Sequence, residues 1–422
     1  MILPRTANKL AVTLWLSVAL TGCRQPGDEA PDLEAFEPRP AEGPALRFVD
    51  VAAEVGLDAF RQVNGGAEKK YLPATTGAGV ALFDADGDGS VDVFLVNGSR
   101  IGGFEPGAEP SNRLFLNQGG GESFVDVTAA AGLLSHGAWG QGCAVADVDG
   151  DGSLDLYVTN YGRNALYLNR GGGRSGGPAF DEVAAAAGVD VPGWSTGAAF
   201  LDYDRDGDLD LYVANFVDYE QVLAEYRGRE LPTQNWKGAR VVKGPRGLPA
   251  AGDLLFRNDG PGATAAVVFT DVTVAAGIAT VEPSYGFQPA LGDVDADGFP
   301  DLFVANDSRP NFLWMNQEGR GFRETGLATG VACDRSGNNQ ACMGVTFEDH
   351  DGDGWLDLFV TNFADDFNTL YLGDGSGFFH DVTAASGLWG PRTRQSLAWG
   401  TFFFDPDNDG DLDLFVANGH VY

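Results

Sequence analysis

Six stretches of this 422-residue chain repeat one arrangement of carboxylates, and the arrangement suits a cage for a hard cation. The sets are Asp84, Asp86, Asp88 and Asp92; Asp147, Asp149, Asp151 and Asp155; Asp202, Asp204, Asp206 and Asp210; Asp293, Asp295, Asp297 and Asp301; Asp349, Asp351, Asp353 and Asp357; and Asp405, Asp407, Asp409 and Asp413. Counted from the first aspartate, the acids fall at positions 1, 3, 5 and 9, and position 6 is always glycine. Side chains at 1, 3 and 5 converge when the loop turns sharply, and the glycine permits that turn. The carbonyl at 7 adds a neutral oxygen and the carboxylate at 9 closes the cage. An all-oxygen set of six or seven contacts suits Ca²⁺ better than Zn²⁺ or Cu²⁺, and Mg²⁺ tolerates the geometry less well. The sequence therefore predicts up to about six Ca²⁺ ions, one per loop. His350, at position 2 of its loop, is expected to point away from the ion.

The flanks say what holds the loops. An apolar run precedes each one, and a period-2 segment such as Leu154-Asp155-Leu156-Tyr157-Val158 follows, which reads as strand. An asparagine stands 13 residues after each first aspartate: Asn97, Asn160, Asn215, Asn306, Asn362 and Asn418. Two more strand signals recur, N-x-L-F-x-N-x-G (as at 113–119) and F-x-[DE]-V-[AT], seen at Phe48, Phe124, Phe180, Phe269 and Phe379 and degenerate at Phe322. Four short antiparallel strands per repeat predict an all-β fold, a β-propeller of about seven blades with six loop units present. Phe48-Val49-Asp50-Val51 precedes the first loop, so it is expected to supply an outer strand that completes the last blade.

Charge and the N-terminus bound the setting. The formal charge of −33 opposes binding to nucleic acid or to anionic membrane surfaces. Arg5 and Lys9 precede an apolar run, Leu10 to Leu20, that ends in Leu20-Thr21-Gly22-Cys23. Residues 1–23 thus read as a lipoprotein signal peptide with Cys23 the lipidated residue. Residues 24–44 read as a Pro- and acid-rich tether, and 45–422 as the propeller. The expected location is the cell envelope, with Arg24 favouring the outer membrane or cell surface and the lipid as the only membrane contact. In an oxidising envelope Cys333 and Cys342 are spaced to close a small loop, whereas Cys143 in an apolar strand reads as a buried free thiol.

These units resemble FG-GAP/VCBS repeats, the calcium-loop blades also found in integrin α chains. Trp236 to Pro249, Cys342 to Gly354 and Trp399 to Tyr422 resemble more narrowly the ASPIC/UnbV repeat proteins, relatives of cartilage acidic protein. The resemblance covers about residues 46–422. It implies a seven-bladed propeller followed by a small ASPIC/UnbV domain, which the chain reads as lacking, and a binding or adhesion role. Relatives commonly carry cysteines where this chain has Asn235 and Lys243, which implies one disulfide fewer.

An insertion at about 216–252 holds Arg227, Arg229, Lys237, Arg240, Lys243 and Arg246, read either as a docking patch for an acidic partner or as a solvated cap. Trp139, Trp194, Tyr285 and Trp399 lie near strand starts and offer either a stacking surface or core. The G-x-S-x-G match at 173–177 lies in a glycine-rich turn and lacks a strand-to-helix elbow, and the four histidines have no triad or metal spacing. The sequence thus predicts a calcium-stabilised binding, adhesion or scaffold module for a protein or carbohydrate ligand, with no catalytic residues. The alternative is a polysaccharide- or peptide-active enzyme working at the central mouth.

Overall fold

The structure is a computed structural model that describes residues 47–421 apart from 67–68, 106, 136, 172–176 and 263–265. The signal segment, the tether and Cys23 lie outside the described residues. Among the described residues, five antiparallel four-stranded sheets and then a two-stranded sheet follow one another along the chain, and a second two-stranded sheet is a hairpin inserted within the third. The first contains Val80–Phe83, Asp92–Leu95, Arg113–Asn117 and Phe124–Asp126, paired in that order. Register between its first two strands runs from Val80 opposite Leu95 to Phe83 opposite Asp92, so the aspartate loop is the connection between them.

Each sheet begins with an inner strand: Val80–Phe83, Trp139–Ala146, Ser195–Leu201, Gly286–Gly292, Cys342–Glu348 and Ala398–Phe404. Each inner strand packs against the next in this series, the radial repetition of a β-propeller. The second strands explain the core. Asp210–Asn215, Asp301–Asn306 and Asp357–Asn362 are buried on both faces, and they read accordingly as near-continuous apolar runs. The core is therefore a set of layers between sheets. Phe83, Phe94 and Leu114 of the first sheet meet Leu156, Val158 and Tyr167 of the second, and similar layers follow around the series.

The sixth sheet has two strands among the described residues, Ala398–Phe404 and Asp413–Asn418. At this end Phe402 and Phe415 are exposed, as are Val80 and Leu82 of the first sheet. Phe48 to Val51 do not form the expected outer strand. They find no third strand of the sixth sheet to pair with among the described residues, and Phe48 is 68% exposed, with its ring centroid 6.4 Å from that of Phe404. The turn that follows nevertheless behaves as in the other sheets. Gly56 lies against the carbonyl of Phe124, as Gly132 lies against that of Phe180 and Gly188 against that of Phe269.

The insertion is ordered and covers the face opposite the aspartate loops. A helix, Tyr219–Glu225, is capped by the Asp218 carboxylate, which accepts from the Gln221 N–H at 3.0 Å. A hairpin, Thr233–Trp236 and Ala239–Val242, turns at Lys237 and Gly238, both with positive φ as a tight two-residue turn requires. Trp236 at its tip reaches Phe363 (centroids 6.1 Å) and His420 (4.7 Å), and Lys237 Nζ lies 3.1 Å from Asp365.

Close approach of the inner strands depends on glycine. A Cβ on Gly344 would overlap the Trp399 carbonyl of the next sheet, whereas one on Gly400 would meet open space. Gly344→Ala is expected to lose about 1–3 kcal/mol by overpacking, and Gly400→Ala to change stability by less than about 0.5 kcal/mol, as measured by urea unfolding.

Candidate metal centres

Each loop is built by its own first aspartate. In the second loop the Asp147 carboxylate accepts from the Asp151 N–H at 3.1 Å and the Gly152 N–H at 2.9 Å, and Asp151 Oδ1 accepts from Ser153 N–H at 2.8 Å. The bond from the position-6 glycine to the first aspartate recurs at Asp84, Asp202, Asp293, Asp349 and Asp405. Glycine at position 6 is left-handed throughout, and so is position 4, where Arg205, Ala296 and Asn408 adopt φ of 59°, 56° and 59°. Holding non-glycine residues there costs about 1 kcal/mol each, so the loops impose a shape that local preference alone would not choose.

That shape draws carboxylates together. Ligand oxygens lie within 4.8 Å of one another in Asp84, Asp86 and Asp92; in Asp147, Asp149 and Asp155; in Asp202, Asp204 and Asp206; in Asp293, Asp295 and Asp297; and in Asp349, Asp351 and Asp353. Asp149, Asp204 and Asp349 each hold a buried Oδ1 with no hydrogen-bond partner. An orphaned, desolvated carboxylate oxygen is costly unless a cation completes it, so the residues present fit a divalent ion.

Position 9 does more than close a cage. Asp155 is fully buried, and its two oxygens accept from the Val148 N–H at 2.9 Å and the Asn169 N–H at 2.7 Å. Asp92, Asp210, Asp301 and Asp357 repeat the pattern, each joining the N–H of loop position 2 to the N–H that ends the third strand. Asp413 is exposed, since the sixth sheet has no third strand among the described residues. Burial pushes Asp155, Asp210 and Asp301 up to about 7 and Asp92 up to about 6, against the lowering pull of the two N–H donors. In the fifth loop Asp349, Asp351 and Asp353 converge without His350, which instead reaches the position-9 aspartate. The imidazole Nδ1 bonds Asp357, and although burial disfavours the imidazolium, Asp357, Asp351 and Asp349 together raise the ring's pKa.

Asparagines that stand in the sequence as parts of strand motifs brace the loops. Asn169, Asn258 and Asn316 end third strands and donate through Nδ2 to the carbonyls of Ala85, Val148 and Tyr203 in the preceding sheet's loop. The asparagines at position 14 act at the opposite end. Asn160, for example, donates its backbone N–H to Asn164 Oδ1 at 2.8 Å. The third sheet has Asp253 in the place of Asn164, accepting from the Asn215 N–H and the Tyr212 hydroxyl at 2.8 Å each.

Residues 84–158, 147–213, 293–360 and 349–416 match the FG-GAP-like repeat, together more than half of the chain. The chain belongs to the FG-GAP-like repeat family. This FG-GAP-like chain is 26% identical to mouse (Mus musculus) cartilage acidic protein 1 over 321 residues, 66% of the chain and 48% of that protein. It is 29% identical to the human (Homo sapiens) protein over 201 residues, 46% of the chain and 26% of the relative. It thus spans less than half the length of these curated relatives. Among solved structures, an Agrocybe aegerita lectin that recognises non-reducing terminal N-acetylglucosamine is similar at 17% identity and a TM-score of 0.37, covering 74% of this chain and 69% of the lectin.

Other expected sites of the FG-GAP-like chain fare differently. Cys333 and Cys342 are not bridged. Cys342 is buried in the layer between the fourth and fifth sheets, while the Cys333 thiol turns to donate to Asn339 Oδ1 at 3.2 Å. Trp139, Trp194 and Tyr285 are 5%, 1% and 1% exposed, so they are core and not a stacking surface. Trp194 and Tyr285 lie in one cluster with Phe216, Tyr219, Val242 and Leu248 of the insertion, which covers them. Among the described residues no helix is long and apolar enough to cross a membrane.

Because folding raises these pKa values from the ordinary carboxylate range near 4, the stability they contribute is complete below about pH 4 and lost as pH climbs through 6 to 7. In EDTA the unfolding midpoint is therefore expected to fall between pH 5 and 8. In saturating calcium that fall should vanish, because the ion replaces the proton; an equal slope in both conditions would contradict the assignment.

Proposed function

We propose that this chain is a calcium-stabilised, envelope-anchored β-propeller that serves as a binding, adhesion or scaffold module. The capped face carries the proposal. The insertion seals the aromatic cluster beneath it and leaves Arg227, Arg229, Lys237, Arg240 and Arg246 exposed at the surface. An enzyme at the central mouth needs reacting groups open to substrate, and here Trp194 and Tyr285, which precede the third and fourth inner strands, are covered by Tyr219, Val222, Val242 and Leu248. Arg240 pairs with Glu230 at 2.9 Å and Lys237 reaches Asp365 at 3.1 Å, both exposed pairs, so the basic surface suits an acidic or polar ligand.

Calcium fits the loops as a structural element. Carboxylates at positions 1, 3, 5 and 9 would hold the ion, and at tenfold excess over Kd each occupied loop adds ~1.4 kcal/mol. Six ions would also lower the formal charge from −33 to about −21. The lipid on Cys23 and the tether would present the body at the envelope, where protein or carbohydrate partners are met. The direct test passes the purified chain, in millimolar calcium, over immobilised alginate, chitin, dextran and an envelope protein extract, while free reducing ends, unsaturated uronides and new peptide termini are assayed. Saturable, chelator-sensitive retention without product is expected. Product that accumulates in proportion to the chain would support the enzyme reading instead.

A further inference from the structure

The loops are not independent in the hydrogen-bond pattern. The Ala85 N–H is held by Asp92 Oδ2 at 2.8 Å, and its carbonyl accepts from Asn169 Nδ2 at 2.9 Å. The Asn169 N–H is held by Asp155 Oδ1, whose Oδ2 holds Val148. The Val148 carbonyl accepts from Asn258 Nδ2 at 3.0 Å, and the Asn258 N–H is held by Asp210 at 2.9 Å. Tyr203 and Asn316 continue the series at 2.9 Å to Asp301, which holds the N–H of Val294 at 3.0 Å. One unbroken path thus crosses four loops.

We propose that Asn169, Asn258 and Asn316 are positioning residues that couple the cation loops of adjacent sheets, so that an ion bound in one loop raises affinity in its neighbour. This rests on the calcium reading above. Position 2 lies between the ligands at positions 1 and 3, so an ion that fixes those two side chains also fixes the peptide groups of position 2. Both polar groups of that residue are links in the path: its N–H is held by the position-9 aspartate of its own loop, and its carbonyl by the asparagine of the next sheet. A loop already fixed therefore presents the acceptor that orders the next, and the ordering cost falls for the second ion. The path changes at the fifth sheet. Gly373 stands where the asparagine would be, and the Val294 carbonyl is met instead by the Gly377 N–H at 3.1 Å, from a turn outside the Asp357 contact. Coupling is accordingly expected across the first four loops, with the fifth apart from them.

Calcium titration of the purified full chain tests this by calorimetry, with native mass spectrometry counting ions at sub-saturating calcium. The wild type should show a Hill coefficient above one and a depleted population of chains holding intermediate ion numbers. Asn258→Ala, checked for native circular dichroism, should bind the same number of ions with less cooperativity and about fivefold weaker midpoint affinity. An independent, binomial distribution in the wild type would overturn the coupling, and that measurement needs no variant. A folded Asn258→Ala chain that titrates like the wild type would overturn it as well. Absence of any bound calcium would instead remove the calcium reading on which the coupling rests.

Discussion

The structure turns on a carboxylate that is buried in a crowd of carboxylates. In each of the first five sheets the position-9 aspartate is almost wholly removed from water, with acids at positions 1, 3 and 5 nearby. Two backbone N–H groups offset part of that desolvation, and the remainder appears as pKa values raised to about 6 or 7. The arrangement persists because one group serves two purposes. It closes the loop between the inner and second strands, and it fixes the end of the third strand against that loop. A divalent ion would relieve the repulsion that this economy creates, which would tie cation chemistry to the geometry of the blade.

From that constraint the rest of the architecture follows. Once the loop is fixed, the second strand can be apolar on both faces, and neighbouring sheets bury it from either side. Glycine in the inner strands lets successive sheets approach, and the third-strand asparagines tie each loop to the one before it. The molecule is in this sense one-dimensional around its series, with each sheet stabilised by its neighbours. The insertion is the exception. It is a helix and hairpin laid across the opposite face, from the third sheet to Phe363 and His420.

Much of this was legible in the sequence because the deciding contacts are local. The loop aspartates and their glycine lie within nine residues, and the segments after them read as strands, although their period-2 pattern did not show that neighbouring sheets bury both faces. What was not legible depends on contacts between distant residues. Asn169 meets Ala85 across 84 residues, so its signal looked like an ordinary strand end. Whether Trp194 faces solvent depends on an insertion that begins after it in the chain. The contact of His350 Nδ1 with Asp357 joins positions 2 and 9 of one loop and is set by the folded loop, not by spacing. Cys333 and Cys342 had a suitable spacing, but one thiol packs into a core layer and the other turns to Asn339. Phe48 carried a strand motif, but no partner strand stands beside it among the described residues.

The central claim is that ions in the aspartate loops hold the sheets in place. It is tested most directly by thermal unfolding of the full chain in chelator and in stepwise added calcium, with bound ions counted in parallel. The account predicts a midpoint that climbs with occupancy and levels off at about six ions per chain, one for each aspartate loop. A midpoint indifferent to calcium, with no ions bound, would show that the carboxylates are held by the protein alone and that the loops are not metal centres.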